Sequence, residues 1–455
     1  MSDVPPRIDA VLLREVGPFA EVTIEFPPGT DPDLADVYLL TGPNGSGKST
    51  VLYAIAALIA CGQLGAGLAD RRFRGVNSMT AVRVGDSTTV CGWPQTINDF
   101  PAIFGMAKPP FTFSRGTSHA EFYTSESGLR RLFKNAPSFD LTAPESVRPR
   151  FNWAAFAYAG MRSVDDGSIG AIREPSSSPF ENCLSFVHTA NAKLLAEWVA
   201  VQEFKRFKAT EAGRLDRATA LRESIHRIEE IITEITGTEF AFFSGEDSTN
   251  IQAQFGGAIV DLGLLPDGLK SIVSWIADLL MRLDRIPWEN DVPPMLRSFL
   301  LLLDEVDVHL HPAWQRKVLP IVQRVFPNAQ IIASTHSPFV VASAADAHVI
   351  SLKVENGTAT VDQVAPSQMG CSYSSVLRSI FGIETEFDIE TETLFAAFHE
   401  AKRNCLSGGS VSLAQVEGIA ADLALRSEEV EQLVALELRQ LRRVLKPKPA
   451  VSGAA

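Results

Sequence analysis

Five side chains suited to binding a metal, moving a proton or contacting a nucleotide fall within the eight residues that follow the apolar run 299–303. They are the carboxylates of Asp304, Glu305 and Asp307 and the imidazoles of His309 and His311. Histidines with carboxylates bind zinc or iron, paired carboxylates act as acid and base in hydrolysis, and a strand-end carboxylate can hold the Mg²⁺ of a nucleotide site. None of the five cysteines lies in a C-x-x-C pair, which argues against a metal centre as the interpretation of this stretch. This stretch by itself leaves the three chemistries open.

A glycine-rich stretch near the N-terminus favours the nucleotide site. Residues 42–49 read Gly-Pro-Asn-Gly-Ser-Gly-Lys-Ser and satisfy the phosphate-binding pattern G-x-x-x-x-G-K-[ST]. An apolar run of strand type precedes them, and apolar residues at helical spacing follow. Lys48 is expected to reach the β- and γ-phosphates, and Ser49 to bind Mg²⁺. The residues predicted to contact the nucleotide in this loop are Gly42, Asn44, Gly45, Ser46, Gly47, Lys48, Ser49 and Thr50.

A nucleotide site of this kind needs a second strand that ends in an acid, and the run 299–303 is that strand. Asp304 is predicted to hold Mg²⁺ together with Ser49. Glu305, one residue further on, is predicted to polarise the attacking water. His336 follows another apolar run, 330–334, and is predicted to lie near the γ-phosphate as a second catalytic residue.

These motifs, in this order, resemble the ABC-type ATPases, and more specifically the OLD, RecF and SMC-like branch. The resemblance covers residues 7–61 and about 240–345. It implies ATP and Mg²⁺ as cofactors, Asp304 as the Walker B acid and Glu305 as the catalytic glutamate. His336 resembles the switch histidine of this branch. Residues 310–312 lie where the family has a D-loop that contacts the other subunit, with His311 in place of the usual aspartate.

The same resemblance implies a signature sequence that completes the site of a partner subunit. Residues 406–410 read Leu-Ser-Gly-Gly-Ser, but they follow the switch histidine, whereas the signature must open the helix before the Walker B strand. They are interpreted instead as a turn before a helix capped by Ser412 and Gln415. The signature is placed at 265–271, where Pro266 replaces the usual serine and implies slow hydrolysis. Its predicted nucleotide contacts are Asp267, Gly268 and Lys270.

Length and composition limit the class of protein. A chain of 455 residues is too long for one ordinary core, and no apolar run approaches the ~18 residues of a membrane span. The N-terminus lacks a secretory pattern and the cysteines are scattered, so a cytoplasmic location and no membrane partner are expected. A net charge of −13 disfavours bulk nucleic-acid binding, although a local patch could still hold DNA.

The predicted fold class is α/β: an ABC-type head over residues 1–345 with a mixed sheet and an antiparallel β-subdomain. A β-rich insertion is expected at about 62–150 and a helical one at about 191–237. A C-terminal helical partner-binding region, 346–445, and a disordered tail, 446–455, complete the chain. Basic residues in the first insertion are interpreted as a solvated face, with a DNA or partner surface as the alternative; they are Arg71, Arg72, Arg74, Arg130, Arg131 and Lys134. Arg162 resembles an arginine found in OLD-like ATPases.

Three functions are compatible with this core. The chain is similar to the stand-alone ATPases of Septu and retron anti-phage systems, which implies a head-to-tail homodimer, or a higher oligomer, that controls a separate effector such as an HNH nuclease. No acidic cluster of the nuclease type follows residue 345. A RecF-like DNA-repair clamp is the alternative, and an ABC transporter motor subunit is disfavoured by the degenerate signature. The residues alone do not separate defence from repair.

Overall fold

The computed structural model describes residues 6–59, 78–84, 87–93, 103–107, 139, 143–160, 172–186, 190–244, 251–385 and 387–445. The chain divides into two compact units that meet between Val376 and Leu377. Arg162, the six basic residues of the first insertion and the tail 446–455 lie outside the described residues.

The strands form three sheets and the helices lie between and after them. The strands are β1 Ala10–Val16, β2 Phe19–Glu25, β3 Asp36–Thr41, β4 Ser78–Val84, β5 Ser87–Trp93, β6 Ile103–Ala107, β7 Ala154–Tyr158, β8 Phe240–Ser244, β9 Ile251–Phe255, β10 Ala258–Asp261, β11 Phe299–Leu303, β12 Ala329–Ser334, β13 His348–Glu355 and β14 Thr358–Pro366. The helices are α1 Lys48–Ile59, α2 Ala192–Glu211, α3 Leu215–Thr236, α4 Asp267–Arg285, α5 Pro312–Val325, α6 Pro338–Val341, α7 Tyr373–Ser379, α8 Ile389–Leu406, α9 Leu413–Ala424 and α10 Glu428–Leu445.

The central sheet has six strands in the order β14-β13-β3-β12-β11-β7. All neighbours in it pair in parallel except β14, which runs antiparallel to β13. Every residue of β7, β11 and β12 is buried. Parallel strands covered on both faces consist of unbroken apolar runs, which is why Phe299–Leu303 has no polar alternation.

Two antiparallel sheets accompany the central one. The first has the order β2-β1-β4-β5-β6, so the described strands of the predicted β-rich insertion extend a sheet begun by the N-terminal hairpin. The second consists of β8, β9 and β10 and precedes α4. The predicted α/β fold with a mixed sheet and an antiparallel β-subdomain is therefore confirmed.

The predicted helical insertion is a pair of helices, α2 and α3, joined by residues 212–214. Four isoleucines at alternating spacings of three and four are buried along α3: Ile225, Ile228, Ile232 and Ile235. Gly237 ends α3 with φ 72°, a left-handed conformation that glycine adopts without steric cost. Trp314 Nε1 donates to Thr236 O at 3.2 Å and ties this end of α3 to α5.

The predicted domain boundary near residue 345 needs a correction. His348–Glu355 pairs in parallel with β3, the strand that leads into the glycine-rich loop, and Thr358–Pro366 closes the sheet beyond it. Backbone hydrogen bonds thus place both strands in the first unit, which extends to Val376.

The second unit has a hydrophobic core of its own, formed by α8, α9 and α10. Its buried residues are Phe395, Phe398, Ala401, Val416, Ala420, Leu423, Val430, Val434 and Leu441. The capping box predicted for Ser412 and Gln415 is present at the start of α9, and of residues 406–410 Leu406 ends α8 while 407–410 lie in the turn before α9. Across the part of the chain that the structure describes, no helix combines the length and apolarity needed to cross a membrane.

Candidate ATP-binding site

The carboxyl ends of three neighbouring strands bring the predicted site residues to one edge of the central sheet. Leu303 pairs with Ala333, and Ser334 pairs with Leu40. The glycine-rich loop leaves β3 at this edge, Asp304 follows β11, and Thr335 follows β12. Ligands of parallel α/β sheets bind outside the carboxyl ends of the strands.

The loop 42–47 has a backbone that only glycine tolerates at three positions. Gly42, Gly45 and Gly47 have φ angles of 138°, 82° and 95°. A Cβ at Gly42 would collide with the backbone carbonyl of Leu352, and one at Gly47 would lie 2.5 Å from the ring of Phe19. Nothing lies within 4 Å of a Cβ at Gly45, so at that position the backbone angle is the constraint.

Asn44, Ser46 and Thr50 are the other residues predicted to contact the nucleotide, the first two before α1 and the third in its first turn. Asn44 is exposed, while Ser46 is completely buried and its Oγ has no hydrogen-bond partner among the described residues. Thr50 is buried in the first turn of the helix. Helix α1 begins at Lys48, directly after the loop, and the N-terminus of a helix favours an anion.

Lys48 is only 7% exposed, and its ammonium lies across the loop. Nζ donates to Gly42 O at 2.8 Å and to Pro43 O at 3.1 Å. Burial lowers the pKa of Lys48, and the carboxylates of Asp304, Glu305 and Asp307 oppose that shift. A cation this poorly hydrated would gain from a phosphate ligand more than an exposed lysine would.

Ser49 and Asp304 form the predicted pair of magnesium ligands. Ser49 Oγ donates to Asp304 Oδ1 at 2.9 Å across the gap between α1 and β11. Hard oxygen atoms of this kind suit Mg²⁺, which proteins usually hold through one or two side chains plus phosphate and water. No group of three or more His, Cys, Asp or Glu that could hold a metal ion occurs within the described ranges. The two oxygens of Ser49 and Asp304 fit a Mg²⁺ that is also bound by a nucleotide.

Glu305 has an unusual backbone conformation, with φ 48°. Left-handed residues other than glycine are uncommon and cluster at functional sites. Its backbone N–H donates to Ser334 Oγ at 2.7 Å. A Cβ added at Gly160 would lie 2.6 Å from both Cβ and Oε2 of Glu305, so only a glycine leaves space for this side chain.

Three residues that contact the predicted acids were not assigned to the site from the sequence. Ser334 Oγ donates to Asp304 Oδ1 at 2.6 Å, and Thr335 Oγ1 donates to Asp307 Oδ1 at 2.6 Å. Gly160 is the third, because it has no Cβ to occupy the space beside Glu305. Ser334, the last residue of β12, and Thr335 directly precede His336, and this polar triplet is the available signal. No sequence signal distinguished Gly160 from other glycines that follow strands.

Gln315 on α5 connects the loop after β11 to the turn after β12. Its Nε2 donates to Asp307 O at 3.1 Å and to Leu310 O at 2.9 Å, while Oε1 accepts from Ser337 Oγ at 2.7 Å. His311 caps the same helix, since its Nδ1 accepts from Ala313 N at 3.2 Å. The imidazole of His311 nonetheless stays exposed, as a contact with a second subunit would require.

His336 lies at the same sheet edge with an exposed side chain. Its backbone N–H donates to Asp307 Oδ1 at 3.3 Å. Partial burial lowers the pKa of His336, the Lys48 ammonium lowers it further, and the three nearby carboxylates oppose the shift. A histidine with a lowered pKa is neutral at physiological pH and can accept or donate one hydrogen bond.

The predicted signature lies at the start of α4, which begins at Asp267 after Pro266. A Cβ at Gly268 would lie 2.6 Å from His309 O, so this glycine packs against the loop after β11 of its own chain. Lys270 Nζ lies 3.6 Å from Asp267 Oδ1. Contact of these residues with a nucleotide held by another subunit stays a prediction. Because Gly268 packs against His309 of its own chain, a larger side chain in a Gly268→Asp variant would disturb that packing, and its effect would not report on contact with a nucleotide in another subunit.

These features define the class of protein as a P-loop ATPase. A phosphate-binding loop follows β3, a serine of that loop contacts the acid at the end of β11, and a second acid lies at the same sheet edge. Comparison with known proteins agrees. Residues 174–342 match the family model described as "AAA domain, putative AbiEii toxin, Type IV TA system", and residues 10–79 match one described as "AAA domain".

The chain is also similar to individual proteins. The chain is 25% identical to the Septu protein PtuA of Bacillus mycoides over 61% of its own length and 36% of that protein. It is 42% identical to the Retron Ec83 probable ATPase of Escherichia coli over 17% of its length and 14% of that protein. The chain thus matches about a third or less of these relatives. The SMC head domain from Thermotoga maritima overlays with a TM-score of 0.39 at 15% identity, covering 79% of this chain and 98% of that one. The predicted resemblance to Septu and retron ATPases is confirmed.

Proposed function

We propose that this protein binds and slowly hydrolyses ATP, dimerises head-to-tail around two ATP molecules, and acts as a nucleotide-driven switch on a separately encoded effector in anti-phage defence. The single observation on which the proposed ATPase activity rests is the 2.9 Å hydrogen bond between Ser49 Oγ, at the start of α1, and Asp304 Oδ1, directly after β11. A phosphate-loop serine and a strand-end acid in contact form the usual metal-binding half of a P-loop site.

Each residue at the sheet edge has a proposed task in the reaction. Lys48 and the backbone N–H groups of the loop, except at Pro43, which has none, bind the β- and γ-phosphates. Ser49 and Asp304 would hold Mg²⁺, which when bound would neutralise charge that develops on the phosphate oxygens. Glu305 accepts a proton from the water that attacks the γ-phosphorus, and the bond from that phosphorus to the β-phosphate oxygen breaks so that ADP leaves. His336 contacts the γ-phosphate. The fixed backbone at Glu305 keeps its carboxylate oriented before the nucleotide arrives.

The proposed dimer is supported by side chains that lie near the ATP site of one chain and are exposed in that chain. His309 and His311 are exposed on the loop after β11, and Asp267 is exposed at the start of α4. In a head-to-tail pair, the start of α4 from one chain would close over the phosphate loop of the other. ATP binds only the closed state in this scheme, so its binding and hydrolysis bias two states of the dimer.

The effector is proposed from the relatives and from the second unit. The similar proteins described above are a Septu protein and a retron ATPase. The second unit has a core separate from the ATPase and exposes apolar side chains on α10, among them Leu436 and Val444. An HNH-type nuclease is the proposed effector, and DNA is a proposed further ligand.

Two variants test the ATPase and the switch together. Lys48→Ala removes the phosphate-binding cation and should abolish ATP binding and ATP-dependent dimerisation. Glu305→Gln keeps the side-chain volume but removes the base, so it should bind ATP, stop turnover and accumulate as a dimer. Light scattering with and without ATP and Mg²⁺ measures the assembly, and phosphate release measures turnover. A monomer in both variants under all conditions would refute the switch.

Affinity purification of tagged Glu305→Gln protein from its native host tests the effector. ATP and Mg²⁺ are kept in all buffers, and Lys48→Ala protein serves as the matched control. A nuclease that co-elutes in stoichiometric amount with Glu305→Gln and not with Lys48→Ala supports the defence role. Repair factors and DNA without a nuclease would instead support a RecF-like clamp.

A further inference from the structure

The hydroxyl of Ser334 hydrogen-bonds to both residues predicted to act as acids after β11, to the carboxylate of Asp304 and to the backbone N–H of Glu305. It is the last residue of β12 and is completely buried. Its Oγ donates to Asp304 Oδ1 at 2.6 Å and accepts from Glu305 N at 2.7 Å. Its carbonyl accepts from Val306 N at 3.0 Å. One strand end therefore contacts three consecutive residues of the loop.

The two hydrogen bonds of the Ser334 hydroxyl fix the direction of its proton. A serine hydroxyl has one proton to donate, and Asp304 takes it, so the bond from Glu305 N can only reach a lone pair. Ser49 Oγ donates to the same oxygen of Asp304, at 2.9 Å. The carboxylate is thus oriented from the α1 side by Ser49 and from the β12 side by Ser334.

The bond to Glu305 N bears on a residue whose backbone is unfavourable by itself. Glu305 has φ 48°, a left-handed conformation that is unfavourable for a residue other than glycine. Such a conformation persists only where its surroundings hold it. The direction of the Glu305 side chain depends on this backbone turn, so the group that accepts from its N–H also determines where the carboxylate points.

We propose that Ser334 is a positioning residue of the ATPase site, which couples the metal-holding acid Asp304 to the water-activating acid Glu305 through one hydroxyl. The proposal rests on the proposed ATPase function. Ser334 itself touches neither phosphate nor water in this scheme. It acts by keeping the two carboxylates at a fixed separation.

The alternative is that Ser334 only satisfies a buried carboxylate and contributes stability. The two roles differ in what they change. A purely structural serine would lower the resistance to urea without altering nucleotide chemistry in the folded protein. A positioning serine would also lower kcat and reduce the gain in ATP affinity that Mg²⁺ provides.

The primary experiment compares Ser334→Ala with Ser274→Ala in the full-length protein. Ser274 is a buried serine of α4 whose hydroxyl donates to Ser271 O at 2.9 Å and contacts neither acid, so its loss controls for a missing buried hydrogen bond. ATP affinity is measured by calorimetry with Mg²⁺ and with EDTA, kcat by phosphate release, and stability by urea unfolding without nucleotide.

Ser334→Ala is expected to lose about tenfold or more in kcat, because a hydrogen bond to a charged group is lost and a backbone N–H is left unpaired. Its affinity for ATP should fall with Mg²⁺ present but stay within about twofold of the wild type in EDTA, where Asp304 has no metal to hold. Ser274→Ala should change neither value. Equal kcat and equal Mg²⁺ dependence in both variants would overturn the proposal.

If the Ser334→Ala variant does not fold, a second pair of variants tests whether Ser334 positions the two acids. Ser334→Thr and Ser334→Val have nearly the same shape and differ in one hydroxyl. Threonine should recover most of the Mg²⁺-dependent affinity and of kcat, while valine should not. Equal values for the two would also overturn the proposal. Lys48→Ala keeps this test separate from the ATPase itself: unimpaired ATP binding by Lys48→Ala would refute the proposed function, whatever the Ser334 variants do.

Discussion

At the scale of single residues, the sheet edge is a set of short contacts between side chains that are far apart in the chain. Ser49 and Asp304 are separated by 255 residues and Asp307 and Thr335 by 28, yet all lie at one edge. Hydroxyl groups of Ser49, Ser334 and Thr335 donate hydrogen bonds to these acids. A hydroxyl orients a carboxylate without neutralising it, which leaves its charge available to a metal or to water.

Gly160 offers a test at this scale. Gly160→Ala would place a Cβ 2.6 Å from Cβ of Glu305, and Cβ cannot move unless the backbone of Glu305 moves too. We expect kcat to fall about tenfold or more with ATP affinity little changed, since small displacements of a reacting group are costly.

The matched control for Gly160→Ala is Gly418→Ala on α9. A Cβ at Gly418 meets nothing within 4 Å, and the residue has no positive φ. Phosphate release and ATP calorimetry measure both variants. Wild-type kcat in Gly160→Ala would show that Glu305 does not need its present position.

At the scale of elements, α4 is the helix that connects the predicted signature to the strands beneath the site. Asp278, on this helix, accepts from Arg282 Nε at 2.6 Å and from Tyr158 Oη of β7 at 2.8 Å. Arg282 Nη1 also donates to Pro179 O at 2.7 Å and to Glu181 O at 2.9 Å. Burial raises the pKa of Asp278, while the Arg282 guanidinium opposes that shift.

This buried pair predicts a large stability effect. Arg282→Ala should lower the free energy of unfolding by about 3–5 kcal/mol, because it leaves the carboxylate of Asp278 buried and uncompensated. Urea unfolding measures the loss. The double variant Asp278→Leu with Arg282→Met should recover part of it, since apolar replacement of a whole buried pair is often tolerated. A double variant less stable than Arg282→Ala would contradict this account.

At the scale of the whole molecule, the chain consists of a large ATPase unit and a small helical unit, each with its own core. The loop, both acids and the predicted signature all belong to the first unit. The second unit contributes none of the residues predicted to bind ATP. Binding of nucleotide and binding of an effector are therefore separable in principle.

Truncation tests this division. A fragment of residues 1–385, which retains α7 intact, should bind ATP within about twofold of the full chain, because an independent unit keeps its own core. The same fragment should lose the effector recovered with Glu305→Gln protein. Calorimetry measures the first property and affinity purification the second. Loss of ATP binding in a fragment whose circular dichroism shows a folded protein would contradict the division.

The sequence by itself determined which residue types are available for the chemistry proposed at the site. Residues 42–49 and Asp304 were identified because phosphate binding requires glycines, a lysine and a serine at fixed local spacing, and such spacing is readable along a chain. The buried strand before Asp304, the hairpin of α2 and α3 and the cap at Ser412 follow from local periodicity and local hydrogen bonds.

Only the tertiary structure decided how the acids are held and where the head ends. Ser334, Thr335 and Gly160 meet residues 304–307 because β7, β11 and β12 are neighbours in one parallel sheet. Strand order in a sheet depends on packing and on crossover connections, and no local pattern encodes it. The pairing of His348–Glu355 with β3, which moved the boundary from 345 to 376, has the same origin. Contacts between residues hundreds of positions apart are set by the fold, whereas the chemical types of those residues are written in the chain.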